Sequence, residues 1–240
     1  MSIDLVWQYI SSPAFFQGAM MTLLLTLCSL LFGIVIGLVL ALLQESRFRG
    51  ARGLAFVYLW LFRGTPVLFQ IIFVYNVLPT FGLRFSAFTC AVLVLSLNEG
   101  AYMAEILRSG LQAVKSGQRT AGMALGMTRG QIMRKIVLPQ AARIVLPPMG
   151  NQMISMLKSS ALVSVIAVQE LLLIANQTAS ASFRYFEALC AAGVYYLVLT
   201  SLFMVFQSWL ERSLDPKKRK RSAGKRGGLL MRALRQPTAR

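Results

Sequence analysis

The sequence predicts an all-α integral membrane protein with five transmembrane helices and a helical loop on the cytoplasmic side. Of its 240 residues 56% are hydrophobic and 14% charged, with a mean hydropathy of +0.62, far from the roughly 45–50% apolar and about 25% charged composition of soluble domains. Charge-free runs of the length that crosses the hydrocarbon as helix, about 20 residues, recur along the chain. The 25 Lys and Arg, set against 8 Asp and Glu, gather at alternate ends of those runs, which is a topology signal before it is a binding signal. With no His, and with Cys28, Cys90 and Cys190 each alone in an apolar run, no metal-ligand cluster, paired thiols or thiol–imidazole couple is available. Neither a catalytic nor a metal site is expected.

The first span is expected over 18–43, because no charge occurs between Asp4 and Glu45. The second is expected over 64–83, preceded by the aromatic segment 54–62 and entered through Arg63-Gly64-Thr65-Pro66, where Pro66 suits a first helical turn or a kink. A third over 85–107, a fourth over 146–168 and a fifth over 188–210 follow from the same criterion. Residues 1–17 carry no basic segment and do not read as a cleavable signal; Trp7, Tyr9, Phe15 and Phe16 are expected to anchor at the interface.

Orientation follows from the retained basic residues. One set of loops holds Arg47, Arg49 and Arg52, then Arg108, Lys115, Arg119, Arg129, Arg134, Lys135 and Arg143, then the tail from Arg212; the other set holds only Arg84 and Arg184. The N-terminus is expected outside and the C-terminus in the cytoplasm. The domain reading is thus an extracytoplasmic segment 1–17, a membrane domain 18–212 with its loop at about 108–145, and a basic tail 213–240. That tail, with Lys217-Lys218-Arg219-Lys220-Arg221, is read as a disordered segment against anionic lipid rather than a nucleic-acid patch.

The loop carries the most specific local chemistry. From about Lys115 to Leu125 the residues favour helix, and Ala121, Gly122 and Ala124 leave a surface almost without side chains, suited to close approach by a partner. Gly126 suits the left-handed residue that ends a helix. Thr128-Arg129-Gly130-Gln131 fits a capping box opening a second helix that returns to the membrane at Pro139. By itself this pattern also fits an amphipathic connector lying on the membrane.

Gly117-Gln118, Ala121, Ala124-Leu125-Gly126, Ile136, Leu138-Pro139, Ala142-Arg143, Leu146-Pro147-Pro148 and Gly150-Asn151 resemble the coupling-loop signature of permease subunits of bacterial ATP-binding-cassette importers, specifically the polar amino-acid family. Gly18 with Thr22-Leu23, Arg63-Gly64-Thr65-Pro66, Ala101-Tyr102 with Glu105 and Arg108, and Leu157-Lys158 with Leu162-Val163-Ser164 are similar to the same family, so the resemblance covers about 18–212. It implies the type I importer permease fold and an inner-membrane location. It implies ATPase coupling through Gly117, Thr120, Ala121, Gly122, Ala124, Leu125, Gly126, Leu138 and Pro139. The implied partners are a cytoplasmic ATP-binding subunit carrying ATP and Mg, a second permease subunit, identical or related, and an extracytoplasmic amino-acid-binding protein, besides lipid and no nucleic acid. The chain itself is expected to hydrolyse nothing and bind no cofactor, in keeping with the lack of a GxxxxGK[ST] loop. Two departures stand out. Thr120-Ala121-Gly122 replaces the usual Glu-Ala-Ala, and Ser159-Ser160 replaces a frequent Asp-Thr, which removes a carboxylate suited to cationic cargo.

Polar groups within spans usually face a bundle interior or a water cavity. Asn151, Ser155, Lys158 and Ser159 recur at helical spacing in the fourth span, and Asn98 lies in the third; these are the candidate path residues. Lys158 either receives a carboxylate from the cargo or pairs with Glu99 or Glu187. Asn98 has the same choice between cargo and helix-to-helix bonding, whereas Arg63, Glu105 and Arg108 read as salt-bridge partners. Two other functions fit parts of the pattern: an ion-coupled carrier, for which no repeat between the halves is evident, and a non-transporting membrane anchor for an ATPase.

Overall fold

The computed structural model describes residues 2–214; the expected basic tail lies, from residue 215 on, outside the described residues. Ten α-helices follow in order among the described residues: α1 (Ile3–Ile10), α2 (Pro13–Gln44), α3 (Arg49–Gly64), α4 (Val67–Val77), α5 (Ala87–Ala113), α6 (Ser116–Ala124), α7 (Arg129–Ile132), α8 (Leu138–Ser159), α9 (Leu171–Ser182) and α10 (Tyr185–Leu214).

Local chemistry sets the helix starts. Ser12 accepts from Phe15 N ahead of Pro13 at the first helical position of α2, and Ser86 accepts from Thr89 N at the head of α5; both satisfy N–H groups that a helix start leaves unpaired. α2, α5 and α10 are each long and apolar enough to cross a membrane. The remaining candidates are bent pairs. Arg49–Gly64 with Val67–Phe81 turns through 101°, and Arg129–Ile166 with Leu171–Ser182 through 51°, giving five crossings when each pair counts as one.

These pairs correct two expected spans. The charge-free run 64–83 is not a straight crossing, because the chain is extended at Thr65 and Pro66 and the 11 residues of α4 reach only about 16 Å at 1.5 Å per residue. Proline disfavours helix in the residue before it, so the break falls at Thr65. The fourth span begins earlier than 146 and ends differently. α7, a π-helical turn over Met133–Val137 and α8 run on without a break, the wider turn accommodating Pro139, whose ring crowds the preceding turn and whose nitrogen has no proton. A 3₁₀ stretch, Ser160–Ile166, then ends at Ala167 with φ +58°, and α9 follows where a loop was expected. Phe15 is also not an interfacial anchor: it is 1% exposed and stacks on Tyr9 at 5.8 Å, whereas Trp7 and Phe16 do face outward.

The centre of the bundle is the α2–α5 pair. Gly33 and Gly37, four residues apart on α2, meet Glu99, Met103 and Ala104, and Gly100 of α5 meets Ile36, so the two backbones approach as small residues permit. Leu25, Leu30, Val94, Leu95, Met103, Met156 and Leu157 fill the core between α2, α5 and α8. Glu170, fully buried, ties three helices: it accepts from Leu172 N at 2.9 Å and Leu173 N at 2.7 Å to cap α9, from Tyr196 of α10 at 3.1 Å and from Thr22 of α2 at 3.5 Å.

Candidate functional site

The break between α3 and α4 leaves the last carbonyls of α3 without helical partners. Gln70 Nε2 donates to Phe62 O at 3.0 Å, Thr65 O at 3.1 Å and Thr65 Oγ1 at 2.8 Å. Asn98 Nδ2 of α5 donates to the same Phe62 O at 3.0 Å and to Gln70 Oε1 at 3.2 Å. This network holds the bend open toward α5 and α8.

Beneath it lies a polar cavity of about 500 Å³, bounded by the Arg63–Val67 bend, by Asn98, Glu99 and Tyr102 of α5, and by Gln152, Ser155 and Ser159 of α8. Glu99 is 1% exposed; its Oε2 accepts from Gln152 Nε2 at 3.0 Å, while its Oε1 has no hydrogen-bond partner among the described residues. Arg63 lies 3.3 Å from Glu105, which also meets Arg108 at 3.6 Å, and its guanidinium sits 5.8 Å from the centre of the Tyr102 ring.

Of the five residues expected on the path, Asn98, Ser155 and Ser159 line this cavity, and Asn151 and Lys158 do not. Neither ion pair considered for Lys158 forms. Lys158 is exposed, Glu99 bonds Gln152, and Glu187 faces Arg184 at 3.7 Å and accepts from Ser2 N at 3.2 Å. Asn98 makes the helix-to-helix bonds and borders the cavity at once. Sequence reasoning missed Gln152, Tyr102 and Gln70; periodicity places a residue on a face without naming the helix opposite it.

The loop forms from the capping chemistry its residues carry. Gly126 has φ +74° and ends α6, and the Thr128–Gln131 capping box is reciprocal, with bonds of 3.3 and 2.9 Å. Gly117, Thr120, Ala121, Ala124, Leu125 and Gly126 are exposed, Leu125 at 81%. Gly122 turns the other way: it is buried, and a Cβ there would lie 2.9 Å from Ile132 and 3.1 Å from Ile136. Its smallness lets α6 pack on the helix that follows rather than smoothing the outer face. Thr120 Oγ1 donates to Ser116 O within its own turn. Leu138 and Pro139 are exposed at the start of α8, Leu138 on an apolar groove with Leu38, Leu111 and Ala141.

A polar cavity walled by helices apolar enough to cross a membrane, with an exposed helix–turn–helix elsewhere on the chain, is an arrangement suited to a membrane transport subunit. The chain belongs to the family of binding-protein-dependent transport system inner membrane components, which matches residues 33–216. It is a permease subunit. It is similar to the arginine transport system permease protein ArgU of Corynebacterium glutamicum, 39% identical over 228 residues covering 88% of this chain and 72% of the relative. It is also similar to the glutamine transport system permease protein GlnP of Escherichia coli, 37% identical over 211 residues covering 87% and 95%. Among solved structures, a crystal structure of an amino acid ABC transporter with histidines superposes with a TM-score of 0.82 at 40% identity, over 89% of this chain and 100% of that one. The inward-facing MetNI methionine ABC transporter shares the fold, with a TM-score of 0.73 at 21% identity, over 90% of this chain and 100% of that one.

Proposed function

We propose that this subunit forms the path for a polar amino acid, and that the cavity at the α3–α4 bend receives it. The observation that carries the reading is the charge arrangement of that cavity. A guanidinium, Arg63, and a buried carboxyl with one unpartnered oxygen, Glu99, line the same space with the neutral groups of Asn98, Gln152, Ser155 and Ser159. A zwitterion with a polar side chain matches such a lining: Arg63 has donors beyond those facing Glu105 for a carboxylate, and Glu99 offers an acceptor to an ammonium. Glu99 also returns to the cavity the carboxyl that Ser159-Ser160 lacks, so cationic cargo is compatible with it, in line with the arginine permeases among the relatives.

The exposed α6–turn–α7 segment docks on a cytoplasmic ATP-binding subunit, which holds ATP and Mg; this chain needs no cofactor of its own. A second permease subunit completes the path, and an extracytoplasmic binding protein delivers the amino acid. The N-terminus lies outside and the C-terminus in the cytoplasm, which the distribution of Arg and Lys supports.

The test is uptake of labelled arginine, glutamine and histidine by proteoliposomes holding the assembled transporter and its binding protein. Glu99→Gln and Ser155→Leu are expected to lower uptake at least tenfold with assembly intact, roughly the loss of one hydrogen bond to a charged group. Full uptake in both variants overturns the cavity as the path.

A further inference from the structure

A second cavity, of about 570 Å³, opens between α3 and α5 beside the Arg63–Glu105 pair. It is lined by Gln44 of α2, by Arg52, Phe56, Leu59, Trp60, Arg63 and Gly64 of α3, and by Glu105 and Arg108 of α5. Three guanidiniums face one carboxylate. Glu105 stands within 3.3 Å of Arg63 and 3.6 Å of Arg108, and Arg52 has no ion pair among the described residues. On the wall contributed by α2, the Gln44 Nε2 donor is buried without an acceptor among the described residues. Such a lining suits an anion with several acceptor oxygens, and guanidinium groups match phosphate in particular.

Its surroundings say which phosphate. Ala55 and Leu59 of α3 pack on Leu40 of α2 and on Ala101 and Ala104 of α5, so the cavity sits at the end of the bundle where α2 finishes and α5 is finishing. α5 has 27 residues, about 40 Å at 1.5 Å per residue, against a hydrocarbon core of about 30 Å; counted from Ala87, Arg108 lies about 32 Å along the helix, at the edge of the hydrocarbon where headgroups begin, with Glu105 about one turn inside it. The rim on the α3 side is apolar and unpaired, with Phe56 and Trp60 each 68% exposed. A cationic floor with an aromatic rim at headgroup depth is amphipathic in the sense of a phospholipid: phosphate inside, acyl chains along Phe56 and Trp60.

We propose that this groove is a binding site for the phosphate headgroup of an anionic phospholipid, with Arg52 as the residue that selects for negative charge. The groove shares Arg63 and Gly64 with the proposed amino-acid cavity, whereas Arg52, Phe56 and Trp60 line the groove alone.

The test reads Trp60 directly. The full chain with Trp7→Phe and Trp209→Phe, leaving Trp60 as its tryptophan, is reconstituted with brominated phosphatidylglycerol or brominated phosphatidylcholine, and quenching is compared at equal mole fractions. The expected result is association of phosphatidylglycerol about fivefold tighter per uncompensated Arg, erased by Arg52→Glu and unchanged by millimolar inorganic phosphate. Equal quenching by the two lipids overturns the proposal, as does a preference that survives Arg52→Glu. Loss of the preference in inorganic phosphate also overturns it, since the groove then takes a free anion. Native mass spectrometry of the chain with all its tryptophans gives a second measurement: phosphatidylglycerol is retained by the unaltered chain and by Arg184→Gln, and lost from Arg52→Glu, and equal retention by all three counts against the site.

Discussion

The same chemical change, glycine to alanine, is expected to have opposite signs at Gly33 and Gly53. Both lie inside helices, where alanine is intrinsically favoured by about 0.5–1 kcal/mol. At Gly53, on the exposed face of α3, a Cβ would meet nothing within 4 Å, so the propensity gain stands alone. At Gly33 a Cβ would lie 2.6 Å from Glu99 Cγ and 2.7 Å from Glu99 Cβ. Those are stem atoms fixed to the α5 backbone, not the far end of a flexible side chain. Ordinary carbon contacts begin near 3.5 Å, so α2 and α5 have to part by roughly 1 Å at their closest crossing. Overpacking of this kind costs about 1–3 kcal/mol, which exceeds the propensity gain, and it displaces the Glu99 carboxyl that lines the polar cavity. Thermal melting in detergent, followed by loss of monodisperse protein, should therefore fall for Gly33→Ala and hold or rise for Gly53→Ala. A Gly33→Ala protein that melts at or above the unaltered chain would refute the close-packed α2–α5 crossing.

Glu170→Ala removes the acceptor of two backbone N–H groups and of Tyr196 in a buried position, and should lower stability by about 3 kcal/mol, the scale of leaving buried donors unsatisfied; a melting temperature unchanged by the substitution contradicts its role as the tie between α2, α9 and α10. Lys158→Met should leave folded yield and uptake alike near normal, because Lys158 is exposed and outside the cavity lining, and a drop in yield measured by size exclusion would reveal a partner for it. Gly126→Trp, which forces a bulky residue into φ +74°, should permit membrane insertion while abolishing uptake and weakening co-purification of the ATP-binding subunit; normal uptake would remove the turn from the coupling surface. Cysteines at Thr80 and Ser182 should react with an impermeant reagent on intact cells and one at Ser116 should not, and a reversal at any of them would change the orientation.

Much of the protein is written locally in its sequence. Hydropathy and the absence of charge fix that the chain lives in a membrane and roughly where it crosses, because each run must satisfy its own backbone hydrogen bonds in hydrocarbon. The turn at Gly126 and the Thr128–Gln131 cap are equally legible, since both depend on residues at most five apart. The helix break was half legible: Pro66 marked a kink, but the 101° bend it makes depends on Gln70 and Asn98 satisfying the carbonyls it frees. Ala167, left-handed without being glycine, gave no warning that α8 would stop and α9 begin. Only the tertiary structure decided that Gly122 faces inward, that Glu99 bonds Gln152 and not Lys158, and that Arg63 stands between two cavities. Spacing along a helix tells which residues share a face; which neighbour that face meets is set by how the helices pack, and in a bundle whose long helices α2, α5 and α10 are apolar on most sides, packing of small residues and buried polar pairs makes that choice.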